Sequence, residues 1–263
     1  VLVLVVLAWL GLATGGHQQR GNVAKLQKVA VQAPTVLISI DGFRHDYLER
    51  KWRRGEQRGH YIAKTLRYLA STGATTTMGM QPVFPSRTFP NHWSMAVGLY
   101  PESAGIIDNT MYDVKRKRWF HQSTNEPEWW RGEPIWKTLG RSMKEISTGN
   151  STYTTATCFW PGSEVPGKQP DVFLKYDDDM PYYKRISTVV SFLDGTFKAL
   201  NGVKADFATA YFHGVDHAGH EHGPESYEVD REIQRVDRAI GQLLQRLGKD
   251  HALRYNIVIV SDH

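Results

Sequence analysis

An acid and an imidazole stand side by side at Asp262-His263, directly after the apolar run 255–260. A buried strand hands metal ligands to a site at its C-terminal end in this way. Two other apolar runs end alike: the run from Thr35 to Ile40 stops at Asp41-Gly42, and the run 205–212 leads through His213-Gly214-Val215 to Asp216 and His220. In an open parallel sheet these residues gather on one edge, where the ligand crevice lies. Carboxylate oxygens with imidazole nitrogens suit zinc and related divalent cations. The chemistry they imply is metal-assisted hydrolysis, and because the sequence stops at His263 the expectation is a metallohydrolase cut off in the middle of its active site.

Between the first two ligand strands lies Pro85-Ser86-Arg87-Thr88-Phe89-Pro90-Asn91-His92-Trp93, followed by the helix-like Ser94-Met95-Ala96-Val97. A hydroxyl at the mouth of a helix becomes a nucleophile without a histidine partner if a divalent cation lowers its pKa. Thr88 is placed for that role. A threonine in a Pro-flanked segment also serves as a helix cap or turn residue, and spacing alone leaves both readings open.

The elements that must position these residues alternate. Apolar strand-like runs and helical patterns follow one another from Thr35 onward, without internal repeats, as in parallel strands joined by crossover helices. Residues 225–247 read as the clearest helix, with Val229, Ile233, Val236, Ile240, Leu243, Leu244 and Leu247 at helical spacing. Further helices are expected at 61–71, ended by Gly73, at 181–200, and around 134–139, with a strand-like stretch at 152–159. The expected fold class is α/β, a mostly parallel sheet sandwiched by helices.

With 263 residues, 41% hydrophobic and 11% aromatic, the chain can bury a full core, which excludes a disordered protein. The formal net charge is +5, but 32 basic residues are spread among 27 acidic ones. The tetrad Lys115-Arg116-Lys117-Arg118 therefore reads as a solvated turn, and no specific nucleic-acid binding is expected. Cys158, the single cysteine, excludes an internal disulfide and is expected to be buried. Asn150-Ser151-Thr152 is a glycosylation sequon. Residues 1–14 are apolar, too short to span a bilayer that needs about 20, and read as a truncated signal anchor or signal peptide. Residues 15–34 read as a linker, although the positive flank Arg20, Lys25 and Lys28 favours a cytoplasmic side.

Several blocks together resemble the ectonucleotide pyrophosphatase/phosphodiesterase family of the alkaline phosphatase superfamily. They are Ile38-Ser39-Ile40-Asp41-Gly42-Phe43, Thr88-Phe89-Pro90-Asn91-His92, Gly98-Leu99-Tyr100-Pro101-Glu102-Ser103, Gly105-Ile106-Ile107-Asp108-Asn109, Gly132-Glu133-Pro134-Ile135-Trp136, Phe159-Trp160-Pro161-Gly162-Ser163, Asp216-His217-Ala218-Gly219-His220 and Ser261-Asp262-His263. The resemblance implies an alkaline-phosphatase-like fold, with residues 35–263 as the N-terminal part of a phosphodiesterase catalytic domain. It implies two zinc ions and a threonine nucleophile, Thr88. Asp41, Thr88, Asp262 and His263 would hold one zinc, Asp216 and His220 the other, whose remaining histidine lies beyond residue 263. Asn109 matches the family's phosphate-contacting asparagine, while His92, His213, His217 and His222 match no ligand.

Phe89, Trp160 and Tyr176 fall where nucleotide-hydrolysing members place base-binding aromatics, although Trp160 reads equally well as core. Arg131 and Glu164 would add polar contacts to the base. The activity implied is cleavage of nucleotide phosphodiester and pyrophosphate bonds, releasing nucleoside monophosphates. The alternatives are a phospholipid head-group phosphodiesterase of the same family and a binding protein with a degenerate site. The implied location is extracellular or lumenal, anchored through the apolar N-terminus or secreted.

Overall fold

In the computed structural model the described residues are 3–6, 33–146, 153–249 and 254–263. Strands β1 (Val3–Val6), β2 (Thr35–Ile40), β3 (Ala74–Thr75), β6 (Thr155–Cys158), β7 (Val172–Leu174), β8 (Phe207–Phe212) and β9 (Asn256–Val260) form one seven-stranded sheet in the order β3-β1-β9-β2-β8-β6-β7. From β9 to β7 all neighbours are parallel, with Thr35 opposite Phe207 and Asn256, and Ser39 opposite Tyr211 and Val260. β1 runs antiparallel to β9 and to β3. Every connection between the parallel strands crosses over through helix or long loop, so their C-terminal ends share one edge.

The continuous apolar runs follow from burial on both faces. Alternate residues point to opposite sides. Val36, Ile38, Ile40, Ala208, Ala210, Ile257 and Ile259 meet an aliphatic layer. That layer comes from α1 (Lys64–Thr72), α5 (Tyr182–Asp194) and α7 (Tyr227–Leu247). Leu37, Phe207, Val258 and Val260 meet a tryptophan-rich layer holding Trp93, Trp130, Trp136 and Trp160. There α2 (Thr88–Val97), α3 (Pro101–Ala104) and α4 (Ile135–Ile146) pack. Helix α6 (Gly214–His222) leaves the end of β8.

The helix expected at 225–247 starts at Tyr227, where Ser226 caps it by accepting the Val229 N–H at 3.2 Å. The helix expected at 181–200 instead ends at Asp194. Gly195 adopts a left-handed φ of 81°, and a Cβ there would lie 2.7 Å from the Gly202 carbonyl, so the chain turns sharply and only a 3-10 turn, Lys198–Leu200, follows. The helix around 134–139 runs on to Ile146.

The basic tetrad belongs to a hairpin of β4 (Met111–Asp113) and β5 (Arg118–Phe120). Asp113 Oδ1 accepts the N–H groups of Lys115 and Arg116 at 2.8 and 2.9 Å, which makes the tetrad a solvated turn. Cys158 is buried, and burial pushes its thiol up to about 12. The expected anchor segment 1–14 and linker 15–34 lie outside the described residues apart from β1 and residues 33–34, as does Asn150. Among the described residues no helix is long and apolar enough to cross a membrane.

Candidate active site

Three strand ends and two helix starts converge. Asp41 follows β2 and is buried; Asp262 and His263 follow β9; Asp216 and His220 are spaced i, i+4 on α6 and so share one helix face. The sheet brings them together on one edge. His263 Nε2 stands 3.4 Å from Asp41 Oδ1, 3.4 Å from Asp262 Oδ2 and 3.7 Å from Asp216 Oδ1. His220 Nε2 lies 3.4 Å from Asp216 Oδ1 and is 76% exposed at the rim. Gly42 makes the approach possible: it sits at φ 63°, and a Cβ there would lie 2.9 Å from Asp216 Cα and Cβ. Its N–H also donates to Asp262 Oδ1 at 3.1 Å.

Thr88 opens α2 from the opposite layer. Asn91 staples the preceding loop to that helix, accepting from the Val83 N–H at 2.8 Å and donating to the carbonyls of Arg87 and Pro85 at 2.8 and 3.2 Å. Two cavities meet at Thr88 and Asp216. One, of about 370 Å³, also holds Asn109, His220 and His263. The other, of about 530 Å³, holds Asp41, Phe89, Trp160, Glu164 and Tyr176. Asn109 Oδ1 accepts the Phe89 N–H at 2.8 Å, which leaves the amide NH2 as its donor.

The donor set fits divalent cations. Asp41 Oδ1 and Asp262 Oδ2 are buried without a hydrogen-bond partner. Burial, with Asp262 alongside, holds the Asp41 carboxyl well above the usual range, and burial pushes Asp262 up to about 7. A dication among these oxygens offsets that desolvation and the mutual repulsion. Asp41, Asp216 and His263 have ligand atoms close enough to share an ion. His92 is equally close to Asp41 and Asp262, but both its nitrogens are engaged, Nε2 with Ser39 Oγ and Nδ1 with the Thr88 carbonyl, each at 2.8 Å. It therefore braces the turn at Thr88, and burial lowers its pKa.

Phe89 and Tyr176 both line the larger cavity. Phe89 rests on Phe120 and Trp130, with ring centroids 6.2 and 5.9 Å away. Tyr176 rests on Phe159 and Tyr211 at 5.3 and 6.0 Å, and Glu164 Oε1 accepts its N–H at 2.8 Å. Trp160 is 3% exposed, donates its indole N–H to the His92 carbonyl at 3.1 Å, and also lines the larger cavity. Arg131 is not brought to this site. Its carbonyl accepts the Trp93 indole N–H at 2.8 Å, and its side chain lies against Gly105 in a separate cavity of about 180 Å³ beside Ile107 and Trp129.

Sequence reasoning missed Tyr211, whose hydroxyl donates to Asp41 Oδ2. It also missed Gln122, Ser123 and Asn125, which wall the larger cavity. Tyr211 carries no signal beyond its place next to a strand end, and the wall residues follow a hairpin too short to read.

The family model for type I phosphodiesterase/nucleotide pyrophosphatase matches residues 35–263. Mouse ectonucleotide pyrophosphatase/phosphodiesterase family member 1 is 39% identical over 238 residues, which is 88% of this chain and 24% of that protein. Venom phosphodiesterase CdcPDE of Crotalus durissus collilineatus is 36% identical over 241 residues, 88% of this chain and 26% of that protein. The chain thus spans about a quarter of the length of these relatives. Among solved structures, human ectonucleotide pyrophosphatase/phosphodiesterase 5 is similar with a TM-score of 0.65 and 27% identity, covering 88% of this chain and 56% of the other. An inactive murine form of the same protein in complex with AMP gives a TM-score of 0.67 at 24% identity, over 88% and 57%. With its parallel sheet, its strand-end acids and the match over residues 35–263, this chain belongs to the type I phosphodiesterase/nucleotide pyrophosphatase family.

Proposed function

We propose that this chain is the N-terminal part of the catalytic domain of a zinc-dependent nucleotide pyrophosphatase/phosphodiesterase that releases nucleoside monophosphates. One observation carries it: Thr88 and Asp216 stand where a cavity of acids and histidines joins a cavity of aromatic rings. Asp41, Thr88, Asp262 and His263 would hold one zinc, and Asp216 and His220 part of a second. When bound, paired divalent ions stabilise the attacking and leaving oxygens of an in-line phosphoryl displacement.

The chain's own residues do the rest. Thr88 Oγ bonds to phosphorus as the bond to the leaving oxygen breaks, giving a phosphothreonyl group that water then hydrolyses. The free amide of Asn109 donates to a phosphoryl oxygen where charge grows. Phe89 and Tyr176 offer ring faces to a base, and the AMP bound by the murine relative is in keeping with that. The ectoenzyme and venom relatives support an extracellular or lumenal location; attachment through residues 1–14 and glycan at Asn150 rest on sequence alone.

The test is the complete protein, metal-loaded, assayed side by side on a nucleotide diester and a lysophospholipid, with Thr88→Ala as control. The nucleotide diester should be the faster substrate, and Thr88→Ala should lose turnover by on the order of 10³ or more while keeping most of its metal. Near-native turnover by Thr88→Ala overturns the covalent step. Faster cleavage of the lysophospholipid overturns the substrate assignment.

A further inference from the structure

Arg185 on α5 is 0% exposed, yet no carboxylate stands within ion-pair distance of it among the described residues. A buried charge without an acid partner is costly unless its donors are satisfied. Four of the five N–H donors of a guanidinium find carbonyl acceptors here, and a histidine ring nitrogen faces the fifth. Nε donates to the Met180 carbonyl at 2.9 Å, and one terminal nitrogen donates to the carbonyls of Asp177 and Asp178 at 3.1 and 3.0 Å. The other donates to the Tyr211 carbonyl at 2.8 Å and faces His213 Nδ1 at 3.4 Å. The guanidinium also lies over the Phe159 ring, 4.9 Å from its centroid.

These acceptors belong to two places. Asp177, Asp178 and Met180 form the loop that begins at Tyr176 and ends at α5, while Tyr211 and His213 close β8 beside Asp41. The loop's other hydrogen bonds are local, such as Met180 N–H to the Asp177 carbonyl at 3.3 Å and Asp179 N–H to Asp177 Oδ1 at 3.1 Å. At its near end, Glu164 holds Tyr176. Only a planar fork reaches carbonyls in both places at once; a lysine has the charge but not that geometry.

We propose that Arg185 is a positioning residue for substrate: its guanidinium pins the 176–180 loop to the end of β8 and thereby sets the Tyr176 ring that walls the larger cavity. It rests on the nucleotide reading for what that ring receives. The residue touches no cavity lining the reaction, so its effect should fall on binding and not on the chemical step.

The experiment is Arg185→Lys in the complete metal-loaded protein. KM for a nucleotide diester should rise by up to about 10- to 70-fold, the full loss of a stacked base, with kcat within about threefold. A base-free diester should change little, and Tyr176→Ala added to Arg185→Lys should cost nothing further, because the ring is already misplaced. Amides of residues 177–180 should exchange faster while α5 and β8 keep their protection. Unchanged loop exchange, equal loss on both substrates, additive effects with Tyr176→Ala, or global unfolding of Arg185→Lys would each overturn the proposal. If the native protein prefers the base-free diester, the nucleotide reading fails instead, and amide exchange still decides the role of Arg185.

Discussion

Removing the ring at Tyr176 tests the substrate-side reading most directly. The residue is 49% exposed, and its covered half rests on Phe159 and Tyr211. An aromatic side chain presents about 200 Å², so about 100 Å² remains for a ligand. A base covering half to all of that area removes about 50–100 Å² of largely apolar surface from water, or about 1.3–2.5 kcal/mol at 25 cal/mol per Å². That agrees with the range for base–aromatic stacking, about 1–3 kcal/mol. Tyr176→Ala should therefore lower kcat/KM for a nucleotide diester about 10- to 70-fold and affect a base-free diester by less than about threefold.

Tyr176→Phe keeps the ring and should keep the rate. Burial pushes the Tyr176 phenol up to about 12, so the hydroxyl stays neutral and the two variants should share one pH profile between pH 6 and 9. Steady-state kinetics on both substrates across that pH range is the assay. An equal fall on both substrates would refute the argument, since a stacking contact cannot affect a ligand that has no base.

Other outcomes follow from the same geometry. Asp237 on α7 is buried and accepts the N–H groups of Leu66 and Thr65 at 2.8 and 3.1 Å, capping α1 from outside; Asp237→Ala should lose about 1–2 kcal/mol in denaturant unfolding. Asp262, raised to about 7 in the metal-free chain, contributes stability that is full below its unfolded value of about 3.9 and is lost as pH rises through about 7. Chelated protein should therefore gain more from added zinc at pH 7.5 than at pH 5 in thermal melts, with proton release on binding, and an equal gain at both would contradict it. On the proposed ligand assignment, zinc titration of residues 1–263 should show one tighter event and one much weaker, because that assignment gives the second ion only Asp216 and His220 here; two equal affinities would contradict it.

How much was legible depends on what kind of signal each residue leaves. Strands buried on both faces read as unbroken apolar runs, so β2, β8 and β9 and the acids and histidines at their ends stood out. Arg185 did not, because a charge in an amphipathic helix ordinarily marks the solvated face, and only the structure brings carbonyls from two segments around it. The hairpin of β4 and β5 has strands of three residues each, too short for alternation to register. Arg131 follows the aromatic pair Trp129 and Trp130, but its side chain lies against Gly105 and lines a separate cavity. Gly195 broke a helix that apolar spacing would have carried on to Leu200.

The sheet also explains why the site is assembled from both layers. Thr88 comes from the tryptophan-rich side through α2, while Asp216 and His220 come from the aliphatic side through α6, and Asp41, Asp262 and His263 come from strand ends between them. The separation of Thr88 from Asp216 and His220 is then set by the thickness of a packed sheet, which is stiff because interiors are close-packed. Small adjustments remain only at the edge, where Gly42 lets the β2 turn approach Asp216 to within a distance no side chain would allow. Burial on both sides of the sheet raises the carboxyls of Asp41 and Asp262, so the packing that fixes these acids also makes their charged, metal-free form unfavourable. Fold and metal affinity are in that sense coupled: the layers hold the acids where a bound proton or a cation relieves them, and the cation takes over as pH rises.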